Sequence, residues 1–159
     1  MPDGRVLNES DVYRELLPSP HLRHAIACLW LRRGTDTPVR VIPDGCVDIV
    51  WRPAVGAIVA GPDSRHWFSA PGTDEAMVGI RFRPGAGGPA LGLPLSEIRD
   101  RRVALEDLNP ALARNLGGSD DPHLLARRLV AVAAAHLTRE CRVLTGLAPS
   151  EWVSAHRAA

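Results

Sequence analysis

Short extended segments, each bounded by Gly, Pro or Asp, dominate the first 115 residues and most constrain the fold. Apolar and polar residues alternate within these segments, as they do in half-buried strands. The segments span residues 27–34, 38–43, 46–53, 56–61 and 76–85. Residues 66–74, HWFSAPGTD, fit either a short strand with a turn or a loop. Many short strands with turn residues between them predict a β-sandwich or a β-barrel.

One of these segments, VIPDGCVDIVW at residues 41–51, carries an aspartate in the middle of an apolar strand. Successive side chains of a strand point to opposite faces. Val47, Ile49 and Trp51 therefore form an apolar face that is expected to join the core. Asp48 points to the opposite face with Cys46 and Val50, toward either solvent or the hollow of a barrel. Asp44 and Gly45 are interpreted as turn residues.

The segment at residues 76–85 has the same pattern with the opposite charge. Alternation places Met77 and Arg81 together on one of its faces. If that face and the face of Asp48 share a barrel interior, Asp48 and Arg81 meet each other there or both meet a ligand. The alternatives are an ion pair that only fixes strand register or two exposed residues on separate faces. The ligand-binding candidates are Cys46, Asp48, Met77 and Arg81.

Beyond residue 83 the composition changes to Pro and Gly and then to helical patterns. Ser96 is predicted to cap a short helix on which Glu97 and Arg101 are spaced for an ion pair. The expected organisation is a sensor domain over residues 1–115, a linker at 116–122 and a helical segment over 123–159. The fold class is therefore α+β.

The charge of the chain is unevenly distributed. The net charge is +1, and all nineteen basic residues are arginines. Residues 123–159 hold five arginines against two glutamates, a net +3, whereas the first 122 residues hold fourteen arginines against sixteen acids, a net −2. A cationic tail suits an anionic partner, although a solvated helix face is the simpler interpretation. The absence of lysine fits a GC-rich coding bias, and selection of arginine for anion binding could contribute to it.

Several classes of function find no support in the sequence. The three cysteines are an odd number without CxxC spacing, and the six histidines do not form a metal-binding pattern. No nucleophile motif occurs, and GAGG at residues 85–88 lacks the rest of a phosphate loop. No enzyme, cofactor, metal or membrane partner is therefore predicted. A signal peptide is not recognisable, so a cytoplasmic location is expected.

Several of these motifs also occur, in the same order, in a known family. VIPDGCVDIVW, VAGPDSR and VGIRFRPGAGGPALGLPLSEIRDRRVALEDL resemble the N-terminal sensor domain of AraC-type bacterial transcription regulators. YRELLPSPHLRHAIACLWLRRG is similar to that domain too, so the resemblance covers about residues 12–110. It implies a mainly antiparallel, cupin-like β-barrel or half-barrel with flanking helices.

A second resemblance lies at the other end of the chain. AHLTRECRVLTGLAPSEWV, residues 135–153, is similar to the closing part of the AraC-type DNA-binding domain, where a helix enters the major groove. The resemblance implies that His136, Thr138, Arg139 and Arg142 face the groove or the phosphates. The segment is shorter than the complete domain with its two helix-turn-helix units, so the site is expected to be incomplete and to bind DNA weakly.

The sequence thus leads to a first hypothesis and two alternatives. The first is an AraC-type regulator whose barrel senses an unknown small-molecule effector or mediates dimerisation. The second is a stand-alone binding or dimerisation module that has lost DNA binding and forms a homodimer or pairs with a full-length relative. A cupin-type enzyme is the third and is disfavoured by the missing metal ligands.

Overall fold

The computed structural model describes residues 13–35, 37–70, 72–117, 121, 124, 127–131 and 134–135. Most of the described chain is organised around antiparallel strands. The strands are β1 (Tyr13–Leu16), β2 (Ile26–Arg33), β3 (Val39–Val41), β4 (Val47–Arg52), β5 (Gly56–Ala60), β6 (Trp67–Ser69), β7 (Ala76–Phe82) and β8 (Arg102–Ala104). The positions of β2, β3, β4, β5 and β7 agree with the segments predicted from alternation, and the ambiguous segment at residues 66–74 contains β6. The strands β1 and β8 were not predicted.

Six strands form one sheet in the order β1-β2-β7-β4-β5-β8, and β3 pairs with β6 in a separate two-stranded sheet. All neighbouring strands are antiparallel. The outer strands β1 and β8 do not pair with each other, so the six-stranded sheet is open. Of the two expected forms, a barrel or a half-barrel, the closed barrel is therefore wrong, because no strand pairing joins the two edges. A β-rich α+β fold agrees with the structure.

Three short helices lie between β7 and residue 117: α1 (Gly87–Leu91) before β8, and α2 (Leu105–Leu108) and α3 (Pro110–Leu116) after it. Asn109 caps α3 by accepting a hydrogen bond from the Leu112 amide at 3.0 Å, and Pro110 occupies the first helical turn, where no amide donor is needed. Gly92 ends α1 in the left-handed region with a φ of 76°.

The predicted helix near Ser96 differs from expectation. Residues Leu95–Ile98 form a 3-10 turn that begins after Pro94, and no side chain caps it. Arg101 donates from Nη1 to the backbone carbonyl of Glu97 at 3.1 Å rather than to its carboxylate. The predicted cap and ion pair are both wrong, because a turn this short does not place the two side chains on adjacent helical turns.

The main hydrophobic core covers one face of the six-stranded sheet. Val78, Ile80 and Phe82 of β7 are fully inaccessible to solvent there. The face packs against apolar side chains of the helices and turns that follow, namely Leu91, Ile98, Leu105, Leu112 and Leu116. As predicted, Val47 and Ile49 belong to this core and Trp51 packs against it.

Part of the predicted C-terminal helical segment also reaches this core. Residues 127–131 are helical, and Leu129 is buried in the main core cluster. Arg128 donates from Nη1 to the carbonyl of Leu116 at 3.3 Å, which connects this helix to the end of α3. Within the described residues, no helix combines the length and apolarity that a bilayer span requires.

Candidate functional site

The opposite side of the six-stranded sheet, called the second face below, carries the predicted site residues. Strand register arranges its side chains in three rows that run across the strands. The rows are Tyr13, Arg32 and Met77; then Glu15, Trp30, Gly79, Val50, Ile58 and Ala104; and then Cys28, Arg81, Asp48, Ala60 and Arg102. The middle row is largely apolar, whereas both outer rows bear arginine.

Asp48 and Arg81 form a two-point ion pair on this face. They are directly opposite each other on β4 and β7. Arg81 donates from Nε to Oδ1 and from Nη2 to Oδ2 of Asp48, each at 3.1 Å. This geometry matches the planar guanidinium to the carboxylate and is the strong form of such a pair. The pairing predicted from alternation is confirmed, and a role in ligand binding stays a prediction.

The turn before β4 adds a second carboxylate to Arg81. Asp44 accepts a hydrogen bond from the Cys46 amide through Oδ1 at 2.9 Å, while its Oδ2 lies 3.4 Å from Arg81 Nη1. Gly45 between them has a φ of 73°, a conformation that favours glycine. The Pro-Asp-Gly-Cys turn therefore also orients the guanidinium, a role that was not predicted for Asp44.

Trp30 is the largest side chain beside the pair, and sequence reasoning missed it. Its indole Nε1 donates to Asp48 Oδ1 at 3.5 Å. The ring lies directly on Gly79 of β7, where an added Cβ would overlap the indole atoms Cε2 and Cζ2. Gly79 is thus needed for a close approach rather than for an unusual backbone angle. The spacing of Trp30 and Gly79 in the sequence does not show this contact, since it depends on the register of β2 with β7.

Two further arginines of the second face form two-point pairs. Arg52 binds Glu75 with Nε at 3.1 Å and Nη2 at 2.8 Å. Arg102 binds Asp63 with Nη1 at 2.8 Å and Nη2 at 2.7 Å. The Arg102 guanidinium also stacks 4.1 Å from the centre of the Trp67 ring, which brings β6 against this face.

Electrostatics at the central pair reflect both burial and hydrogen bonding. Burial raises the pKa of Asp48, although the hydrogen bonds from Arg81 and Trp30 act in the opposite direction. Desolvation by itself would lower the pKa of Arg81, but the hydrogen bonds and charge of Asp48, with the charge of Asp44, outweigh it and raise that pKa. The two-point contact favours the ion pair, because a neutral Asp48 would leave Arg81 desolvated without this counter-charge.

The remaining ligand candidates are less polar. Met77 is buried with Cys28 and Val50 in a small cluster on the second face, with Ile58 packed beside it. Cys46 is half-buried, and desolvation together with Asp44 raises the pKa of its thiol to about 11. Desolvation raises the pKa of Cys28 to about 11 as well. Both thiols are therefore protonated near neutral pH and weak as nucleophiles.

The DNA-binding candidates His136, Thr138, Arg139 and Arg142 lie outside the described residues. Within the described ranges, no group of three or more His, Cys, Asp or Glu side chains is arranged to hold a metal ion.

The strands that form the second face lie in a region that matches a protein family. The chain is a member of the DUF6597 family, described as a domain of unknown function, whose profile matches residues 14–104. The matched region runs from the second residue of β1 to the last residue of β8 and so covers all eight described strands except Tyr13. No curated protein and no solved structure matches the chain significantly.

Proposed function

We propose that this chain is the ligand-sensing part of an AraC-type transcription regulator, with a cupin-like half-barrel whose second face binds a small effector. The observation that carries the proposal is the Asp48–Arg81 pair with Asp44 and Trp30 around it. A partly buried ion pair is weak evidence for stability, because apolar side chains can often replace it without loss. Its presence on an otherwise apolar strand pair is better accounted for by recognition of a polar ligand.

The DNA-binding part of the proposal depends on the family resemblance of residues 135–153. Arg139 and Arg142 are the candidates for phosphate or base contacts there. Since complete recognition normally needs a supporting helix-turn-helix, we expect weak binding that is dominated by phosphate contacts. Two such contacts would lower the affinity roughly 12-fold between about 50 and 200 mM salt.

Selection from a pool of randomised duplexes tests this part, followed by fluorescence anisotropy of the enriched duplexes at low and moderate salt. The matched control is the double substitution Arg139→Ala with Arg142→Ala. An enriched sequence whose binding is lost in the control supports a regulator. If no sequence is enriched and no salt-dependent binding is measured, DNA recognition by this chain is contradicted and the stand-alone module is favoured.

A dimerisation module is the second candidate, and a specific surface favours it. Ile42 and Phe68 are exposed large apolar residues beside and on the small sheet, and Phe68 exposes 60% of its surface. An exposed apolar group of this kind is typical of a protein contact. Sedimentation of the wild type and of Phe68→Ser tests it: a dimer that dissociates on substitution supports the candidate, and a monomeric wild type contradicts it.

A further inference from the structure

The four arginines of the second face are not equivalent. Arg52, Arg81 and Arg102 each bind a carboxylate at two points, on Glu75, Asp48 and Asp63 respectively. Arg32 lies on the same face between Tyr13 and Met77 and forms neither a hydrogen bond nor an ion pair within the described part of the chain. Its Nη2 is buried and has no hydrogen-bond partner among the described residues, while the residue as a whole is only partly buried.

An unpaired guanidinium in such a position is energetically unfavourable. The buried Nη2 loses hydration without receiving a hydrogen-bond acceptor in return. Desolvation correspondingly lowers the pKa of Arg32 from its ordinary value. The other three arginines of this face are neutralised by a carboxylate of the chain itself. A carboxylate supplied by a ligand would neutralise Arg32 in the same way.

We propose that Arg32 binds the carboxylate of a small, singly charged organic acid on the second face. This inference rests on the proposed sensing function and names the chemical class of its effector. The guanidinium fork fits a carboxylate at two points. The other three arginines already have counter-charges, so one unpaired cation favours a monoanion over a phosphate, which would need additional donors.

The surroundings of Arg32 suit an acid with a short apolar body. The adjoining row offers Trp30, Val50 and Ile58 for apolar contact. Ile58 in this row is only partly buried, as is Arg32 itself. An organic acid could therefore contact this apolar row while its carboxylate meets Arg32.

The test is isothermal titration of the full chain in a chloride buffer free of carboxylates. The probes are benzoate and hexanoate, their neutral amides benzamide and hexanamide, and inorganic phosphate. We expect at least one acid to bind, its amide to bind at least about tenfold more weakly, and Arg32→Gln to lose at least about tenfold in affinity for the acid. Arg33→Gln is the matched control, because Arg33 is the next residue and its side chain is 62% exposed; it should change affinity less than twofold.

Folding of the variants is checked by thermal unfolding. Arg32→Gln removes an unpaired charge, so its melting temperature should equal or exceed that of the wild type. Arg32→Lys provides a second variant that keeps the charge but not the fork, and should bind the acid with intermediate affinity.

The outcomes separate this inference from the broader function. Equal binding of acid and amide, or an Arg32→Gln variant that binds the acid as well as the wild type, overturns the role of Arg32 but leaves a sensing face in place. Binding of phosphate in preference to both acids overturns the monocarboxylate class. If none of the probes binds, the monocarboxylate proposal fails. A subsequent screen of neutral polar compounds that also yields no binder would then count against small-molecule sensing itself.

Discussion

The two faces of the six-stranded sheet are built from the same strands but follow different physical rules. On β7, Ile80 and Phe82 enter a core that excludes solvent completely, while Arg81 between them points to the second face and pairs with Asp48. The core face needs only shape and apolarity. The second face needs defined angles and matched charges, because each buried donor or acceptor must have a partner.

This contrast shows that adjacent residues of one strand can have different roles, because one side chain stabilises the core and the next lies on the face proposed to bind a ligand. Burial of apolar surface stabilises the core face in rough proportion to area. The charged pairs of the second face contribute less net stability, because desolvation offsets much of their attraction. We therefore expect truncation to be most damaging on the core face and removal of single charges to be damaging only where a partner is left behind.

The largest effect is expected for Phe82→Ala. Phe82 is fully buried, and loss of its ring should lower the free energy of unfolding by about 3–5 kcal/mol, measured by urea denaturation. Phe68→Ala is a matched control, since the same atoms are removed from an exposed position, and it should change stability by less than about 0.5 kcal/mol. Similar losses in both variants would contradict the sealed core face.

The next effect concerns the central ion pair. Asp48→Ala should lower the free energy of unfolding by about 2–3 kcal/mol, which is below the full cost of breaking a fully buried pair because Arg81 is 27% exposed. The double substitution Asp48→Leu with Arg81→Met removes both charges and should cost less than about 1 kcal/mol. A single variant as stable as the wild type would show that the pair does not hold the second face together.

The smallest effect is a pH dependence at Glu75. The hydrogen bonds from Arg52 hold the pKa of Glu75 below its ordinary 4.5. A carboxyl whose pKa is lower in the folded state stabilises the fold above the unfolded value, and this stabilisation is lost as pH falls through the folded value. Wild type should therefore exceed Glu75→Gln in stability by about 1 kcal/mol at pH 7, and the difference should shrink in an acidic buffer, as the pH falls below 4.5 through the lower folded-state pKa.

A suitable control for that titration is Glu97→Gln. In the described part of the chain, Glu97 meets Arg101 through its backbone carbonyl and not through its carboxylate. Its substitution should leave stability nearly unchanged at both pH values. A difference between wild type and Glu75→Gln that did not change with pH would mean that the Arg52 contact contributes through shape and not through charge.

Much of the strand pattern could be predicted from the sequence, and so could the central pair. Alternation places Asp48 and Arg81 on matching faces, and charge complementarity suggests that their strands are neighbours. The sequence did not predict the contact of Trp30 with Gly79 or the pairing of Arg102 with Asp63. Such contacts depend on strand order and register between distant segments, which local periodicity does not specify.

The openness of the sheet was also beyond prediction. Whether β1 and β8 pair with each other depends on how strongly the strands twist and where β3 and β6 pack, and the composition of the edge strands does not determine this. The unpaired donor Arg32 was missed for a related reason. An arginine next to a tryptophan on a strand looks like a solvated charge until the positions of all the carboxylates are known.

The position of β7 has a consequence for how the chain reaches this state. This strand is the seventh of the eight described strands in chain order, yet it lies between β2 and β4, which are both synthesised earlier. Until residues 76–82 emerge and insert, both earlier strands present unpaired edges that could join other chains. A nascent chain that ends before Ala76 would therefore be prone to aggregation and would not form a smaller version of the same sheet.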